Sequence, residues 1–216
     1  MPDRAANDVP SLRAIIESRL RDTRPGGDPL AALLRGAPPE HHETLRKAAP
    51  ASLSGAAVLV PIVERPEGLT VLFTLRASHL KHHAGQVSFP GGRIEPHDAG
   101  PWAAALRETE EEIGLSREFV TLAGYLEDQM VISGFRVTPA VGFVRPGFEL
   151  RLDRTEVEDV FEVPFDFILD PANHLPRERH FQGMTFIGYD IPYQGRRIWG
   201  ATATMLLSLY RLLREA

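Results

Sequence analysis

An α+β fold follows from three features of the sequence: period-two apolar runs in the middle of the chain, helix-period runs at both ends, and one strongly marked helix at 101–113 between them. A strand-rich middle with helices on its faces accommodates all three. The chain has 216 residues, 43% hydrophobic and 25% charged, which is enough to bury a sizeable core as a soluble globular domain.

Residues 9–22 carry Leu12, Ile15, Ile16 and Leu20 at helical spacing. A break at Arg24-Pro25-Gly26-Gly27 precedes a second short helix at 28–35, which Pro38-Pro39 stops. Residues 1–50 therefore read as a small helical annex packed on the core, and 51–216 as the main domain. Val58, Val60 and Ile62 mark a strand at 56–63. Thr70–Leu75 is a second strand, joined to it as a hairpin through Pro66-Glu67-Gly68. Residues 77–93, rich in His, Gly and Pro, read as loop with short extended pieces. Strands follow at 119–126 and 135–144, with a turn at Ser133-Gly134, then an acidic bend at 153–159. Extended pieces run from 180 to 198. Met205, Leu206, Leu209, Leu212 and Leu213 give an amphipathic helix at 200–214.

Composition excludes several functions. With no cysteine, disulfides and thiolate metal sites are impossible, so a metal must take oxygen or imidazole ligands. A net charge of −5 argues against a general nucleic-acid binder. The beginning of the chain carries acids and no long apolar run, and no stretch reaches membrane-span length. The expectation is a cytoplasmic protein with no membrane partner.

The 101–113 helix carries the chemistry. Pro101 suits its first position and Gly114 its C-cap. Trp102, Leu106, Thr109 and Ile113 share one face, while Glu108, Glu111 and Glu112 share another. Carboxylates in the last turns oppose the helix dipole, at ~0.3–1 kcal/mol each. A divalent cation would resolve that conflict, and clustered carboxylates suit Mg²⁺ or Mn²⁺. The bland alternative is a solvated acidic helix end. Upstream, Phe89-Pro90-Gly91-Gly92-Arg93-Ile94-Glu95 supplies glycines able to bring backbone close to a metal or a phosphate.

Gly92 through Leu115 resembles the Nudix box, G-x5-E-x7-R-E-U-x-E-E-x-G-U. Arg107-Glu108, Glu111-Glu112, Gly114 and Leu115 fit its second half. Thr109 replaces a bulky aliphatic. Asp98 stands where the first glutamate belongs, and eight residues rather than seven separate it from Arg107. That variant, with the segment Leu72 to Gly92, resembles the coenzyme A pyrophosphatase branch. The branch pattern L-L-T-x-R-[SA]-x-x-[LM]-[RK]-x-H-x-G-[EQ]-[VI]-[SA]-F-P-G-G is matched with Phe73 in place of leucine.

The resemblance implies an α/β/α sandwich with a mixed sheet between helices. It implies metal ligation by Glu108, Glu111, Glu112 and the Gly91 carbonyl, with Arg107 orienting the acids. Glu111, Arg107 and Glu156 are the expected catalytic set, Glu111 or Glu156 serving as base. Arg76, Lys81, His83 and Gln86 are the expected substrate contacts. The implied reaction is Mg²⁺- or Mn²⁺-dependent cleavage of coenzyme A or acyl-CoA to 4′-phosphopantetheine and adenosine 3′,5′-bisphosphate. NADH, ADP-ribose or a nucleoside triphosphate is the alternative substrate, and a silent nucleotide-binding module the alternative class. A homodimer through the annex is compatible with the sequence.

Overall fold

The computed structural model describes residues 11–35, 37–131, 134–181 and 183–214. Three helices open the chain, α1 (Leu12–Leu20), α2 (Pro29–Arg35) and α3 (His42–Ala48). Then come the strands β1 (Ser54–Arg65), β2 (Gly68–Arg76), β3 (Val87–Ser88) and β4 (Gly91–Arg93), and the helix α4 (Pro101–Ile113). The strands β5 (Val120–Tyr125), β6 (Gln129–Val131), β7 (Phe135–Val144) and β8 (Val157–Pro164) complete the main sheet. The chain continues through α5 (Phe165–Leu169), β9 (Leu175–Phe181), β10 (Met184–Tyr193), β11 (Arg196–Ile198) and α6 (Gly200–Arg214).

The main sheet is mixed. β1 runs parallel to β7 from Ser54↔Phe135 to Val63↔Val144, and every other pairing is antiparallel. The other edge of β1 is shared. Its end pairs with β2 through the expected hairpin, Arg65↔Gly68 to Ile62↔Val71, and its beginning pairs with β4, Ala56↔Arg93 to Val58↔Gly91. β3 meanwhile pairs with the far end of β2. β1 and β2 therefore diverge, and the β3–β4 segment bridges the gap. The helix α4 lies over that split.

Period-two alternation sends side chains to both faces of the sheet. Ala57, Leu59, Val63 and Leu72 pack with Ala104, Ala105 and Ile113 of α4. Val60, Ile62, Val71, Phe73 and Val141 pack on the other face with Ile16 and Leu20 of α1, Ile168 of α5, and Met205, Leu206 and Leu209 of α6. The result is a helix layer on each face of the sheet, the sandwich expected from the motif.

The annex is joined to the sheet by polar contacts as well as burial. Thr23 Oγ1 accepts from the Tyr125 N–H at 2.7 Å and donates to the Leu20 carbonyl at 2.6 Å. Several sequence expectations need correction. Helix α3 carries no mark in the sequence pattern, and the acidic bend is shorter than 153–159, since β8 begins at Val157. The consecutive acids Glu158 and Asp159 interrupt the apolar alternation and hide the strand character; in the structure Asp159 pairs with Arg196. The extended pieces at 180–198 begin earlier, at Leu175, as a separate three-stranded sheet, β11-β10-β9. Residues 9 and 10 of the first expected helix, and Ser133 of the expected turn, lie outside the described residues. Among the described residues no helix is long and apolar enough to cross a membrane.

Candidate active site

Helix α4 starts on Gly100 and Pro101 and ends at Gly114, whose φ of +70° is left-handed and whose N–H bonds the Glu110 carbonyl at 3.0 Å. Two further end carbonyls are satisfied from an unexpected direction. Arg151 N–H donates to the Ile113 carbonyl at 2.8 Å and Asp153 N–H to that of Glu112 at 2.9 Å. The 151–156 segment thus caps the helix and brings Glu156 to the acidic cluster.

The four glutamates of the helix separate by partner. Glu110 turns away to Arg117, accepting from its backbone N–H at 2.8 Å and its Nε at 2.9 Å. Arg117 lies beyond the helix stop, so helical spacing does not mark it as a partner. Glu111 is 61% exposed and bonds Arg107 at 3.0 Å. Glu108 is mostly covered, also bonds Arg107 at 2.9 Å, and faces Gly92. Glu112 is only 5% exposed. It accepts from the Gly91 N–H at 3.2 Å and stands 3.9 Å from the Arg76 guanidinium.

This environment sets the protonation. Burial pushes the Glu112 carboxyl up to about 8, outweighing the Gly91 hydrogen bond and the Arg76 charge, while Glu156 and Glu108 add like-charge repulsion. Burial likewise raises Glu108, opposed by Arg107 and assisted by Glu111 and Glu156. Asp98 moves the other way, held below the usual carboxylate range by Arg107. Arg107 is the hub. It grips Asp98 with Nε at 3.1 Å and Nη2 at 3.0 Å, reaches the Arg93 carbonyl at 3.0 Å, and holds Glu108 and Glu111. Asp98 also accepts from the Glu95 N–H at 2.8 Å, which closes the loop between β4 and α4.

The glycine pair has two separate reasons to be glycine. A Cβ on Gly91 (φ +150°) would stand 2.3 Å from the Ala57 carbonyl oxygen and 2.6 Å from the Val58 Cα. One on Gly92 would stand 2.5 Å from the Glu108 carboxylate. The first is an obligation of the sheet and the second of the acidic site.

The expected substrate contacts divide. Arg76 points at Glu112, and its Nε is buried with no acceptor among the described residues. A buried guanidinium donor without a partner is uncommon and is chemically suited to an anion. The loop after it folds back, with the Gly85 N–H on the Arg76 carbonyl at 3.1 Å and the Arg76 N–H on the Gln86 carbonyl at 3.0 Å. Gln86 Oε1 meets His83 Nδ1 at 3.0 Å. Lys81 is exposed and makes no hydrogen bond or ion pair among the described residues. Its loop is tied to the Glu156 bend: Ala77 N–H donates to the Glu156 carbonyl at 2.8 Å and Ser78 N–H to Glu158 at 3.1 Å. Phe135 lies under Arg93, 5.5 Å from its ring centroid to the guanidinium.

Among the described residues no three acidic or imidazole side chains already form an ion cage. Like charges keep apart, and Arg107 occupies two of them. The donor set nevertheless fits a hard divalent cation: a buried carboxylate whose charge is incompletely met, two neighbouring glutamates, and backbone oxygens of the glycine segment.

An acidic helix face backed by a buried guanidinium Nε without a partner suits a divalent cation and an anionic ligand. Comparison with known proteins agrees. The NUDIX domain pattern matches residues 53–182, more than half of the chain. A relative from Salmonella paratyphi B named "Uncharacterized Nudix hydrolase NudL" is 40% identical over 169 residues, 78% of this chain and 84% of that protein. The chain belongs to the Nudix hydrolase family, whose enzymes generally act with divalent metal ions on nucleoside diphosphate derivatives. Among solved structures, the Nudix hydrolase RenU from M. Smegmatis is 24% identical with a TM-score of 0.46, covering 53% of this chain and 73% of that one. The NUDIX domain of Shewanella oneidensis NrtR, solved with ADP ribose, is 20% identical with a TM-score of 0.43, covering 64% and 85%. Neither likeness carries an argument about substrate.

Proposed function

We propose that the protein is a coenzyme A or acyl-CoA pyrophosphatase dependent on Mg²⁺ or Mn²⁺. The observation that carries the reading is Arg76. The branch pattern places an arginine there, and its buried, unpartnered Nε lies beside Glu112 at the acidic cluster. Glu108, Glu111, Glu112 and the Gly91 carbonyl would hold the cation. Bound there, it neutralises diphosphate oxygens and lowers the pKa of water. Arg76 binds a phosphate oxygen, with Lys81, His83 and Gln86 on the same loop as further contacts. Arg107 positions Glu108 and Glu111 and does not touch the reacting atoms.

Glu111 accepts the proton of the attacking water, being the most accessible carboxylate of the helix, with Glu156 as the second candidate base. The new bond joins the water oxygen to phosphorus and the bridging P–O bond breaks. The products are 4′-phosphopantetheine, or its acyl form, and adenosine 3′,5′-bisphosphate.

A substrate panel tests the reading. With Mg²⁺ or Mn²⁺, coenzyme A is expected to be hydrolysed well ahead of NADH, ADP-ribose and nucleoside triphosphates. Equal rates on ADP-ribose and coenzyme A overturn the substrate. In the same assay Glu111→Gln is expected to lower kcat by ~10²-fold or more, as loss of a base does. Unchanged turnover in that variant, with loss in Glu156→Gln, moves the base to the bend.

Ion binding carries a sign as well. Glu112 retains its proton up to about pH 8, so a cation must displace it. Calorimetry is expected to find Mg²⁺ affinity rising with pH, by at most about tenfold per unit, until pH 8 and then levelling. A flat profile removes Glu112 from the ligand set.

A further inference from the structure

The segment that caps α4 also holds the loop that follows Arg76. Residues 153–158 meet the end of the helix on one side and the start of the 77–86 loop on the other. On the helix side, the Asp153 N–H donates to the Glu112 carbonyl at 2.9 Å, and Val157 is buried with Ala104, Ala105 and Ile113. On the loop side, three consecutive residues make three links. Ala77 N–H donates to the Glu156 carbonyl at 2.8 Å, and Ser78 N–H to Glu158 Oε2 at 3.1 Å. His79 Nε2 lies 3.1 Å from the Thr155 carbonyl. The bend keeps its own shape, since Asp153 Oδ1 accepts from the Thr155 N–H at 2.8 Å and from its hydroxyl at 2.7 Å.

An irregularity in the sheet aims one of these links. β2 and β8 pair in step from Thr70↔Pro164 to Leu75↔Asp159, and then Arg76 pairs with Val157. Glu158 is thus the extra residue of a β-bulge, without a partner across the ladder. Bulges re-aim side chains and are frequent beside active sites. This one has two results. Arg76 falls opposite Val157, on the α4 side, where its guanidinium reaches Glu112. The Glu158 side chain, released from the ladder, reaches Ser78.

Glu158 shows no competing task. It is exposed, and among the described residues its carboxylate makes no ion pair and accepts from the Ser78 N–H alone. Arg154 Nη1 binds its backbone carbonyl, not its side chain. By charge alone the residue is misplaced, because a further anion next to a loop that meets an anionic substrate weakens binding.

We propose that Glu158 is a positioning residue, which through the Ser78 N–H latches the loop after Arg76 to the bend that caps α4. The latch fixes the distance between the phosphate contacts and the cation ligands. Arg76, Lys81, His83 and Gln86 then meet the diphosphate as one preset unit, and less ordering is left to the binding step. The inference deepens the pyrophosphatase reading and rests on it for the anionic substrate. The latch itself rests on the contacts alone.

The test compares Glu158→Ala with Glu158→Gln, because the amide keeps an acceptor oxygen for Ser78 and lacks the charge. With coenzyme A and Mg²⁺, Glu158→Ala is expected to raise KM about three- to tenfold, the worth of one hydrogen bond, with kcat within about twofold of the wild type. Glu158→Gln is expected to keep KM at or below the wild-type value. A purely electrostatic Glu158 gives the opposite sign, with KM lowered alike in both variants. Hydrogen exchange in the metal-free full chain supplies a readout that needs no substrate. The 77–86 peptide is expected to exchange about three- to tenfold faster in Glu158→Ala and at the wild-type rate in Glu158→Gln, with α4 unchanged in both. A KM in Glu158→Ala at or below that of the wild type, a fall in kcat at constant KM, or equal exchange over 77–86 in all three proteins overturns the proposal. The two readings fail separately. If coenzyme A is not hydrolysed but exchange responds to alanine and not to glutamine, the latch stands and the substrate falls. If coenzyme A is hydrolysed and neither KM nor exchange responds, the substrate stands and the latch falls.

Discussion

Replacing Glu112 by glutamine is expected to lower kcat/KM by about 10³-fold while making the metal-free protein more stable at alkaline pH. Both effects come from one buried carboxylate. Its charge sits in a nearly closed environment with one backbone N–H and a guanidinium 3.9 Å away. The neutral amide keeps the shape and the contact to Gly91 but loses the charge that a cation needs. Loss of a preorganised charged group at the reacting centre reduces rate by ~10²–10³-fold, and loss of metal affinity adds to that.

The stability effect has a definite direction. The folded-state pKa of Glu112, about 8, lies above the ordinary value, so the folded chain binds the proton more tightly than the unfolded chain. That contribution is complete below the ordinary carboxylate range and is lost as pH climbs to about 8. Melting temperatures measured in chelator from pH 5 to 8.5 are therefore expected to fall more steeply for the wild type than for Glu112→Gln. Parallel profiles, with turnover intact, remove Glu112 from the centre of the site.

Gly91→Ala is expected to cost at least about 3 kcal/mol of folding stability, through overpacking and a left-handed backbone unfavourable to alanine. The atoms in the way are the Ala57 carbonyl and the Val58 Cα, backbone of the central strand, which cannot swing aside. At ~2–4 °C per kcal/mol for a chain of this size, the melting temperature should drop by roughly 6–12 °C. Gly92→Ala is expected to behave differently. Its added methyl meets the mobile end of Glu108, so the fold holds while the carboxylate is displaced and activity falls. Thermal melts and turnover on the two variants separate these outcomes. Equal destabilisation would falsify the division of labour between the glycines.

The residues of the site were largely legible because their chemistry is local. A helix of 13 residues with a proline start and a glycine stop fixes which glutamates lie near one another. What the sequence left open was which of them is buried. Spacing makes Glu108, Glu111 and Glu112 equivalent neighbours, whereas the structure covers Glu112 and exposes Glu111 because β4 and Arg76 approach from one side only. Glu110 could be set aside only through Arg117, seven residues away beyond the helix stop. Similarly, the capping of α4 by Arg151 and Asp153 is a contact between segments far apart in sequence, with no local mark. The strand β8 was obscured by its own acids.

The contact between Thr23 and Tyr125, together with Ile16 and Leu20 in the core, bears on what counts as one unit of this protein. The NUDIX domain match starts at residue 53, but the interior it needs is partly filled from outside that border. The border of the domain match and the border of the packed interior therefore differ on this chain. The inherited catalytic half borrows hydrophobic mass from a neighbour that shares none of its signature, so changes to that neighbour are felt as changes in the enzyme's integrity.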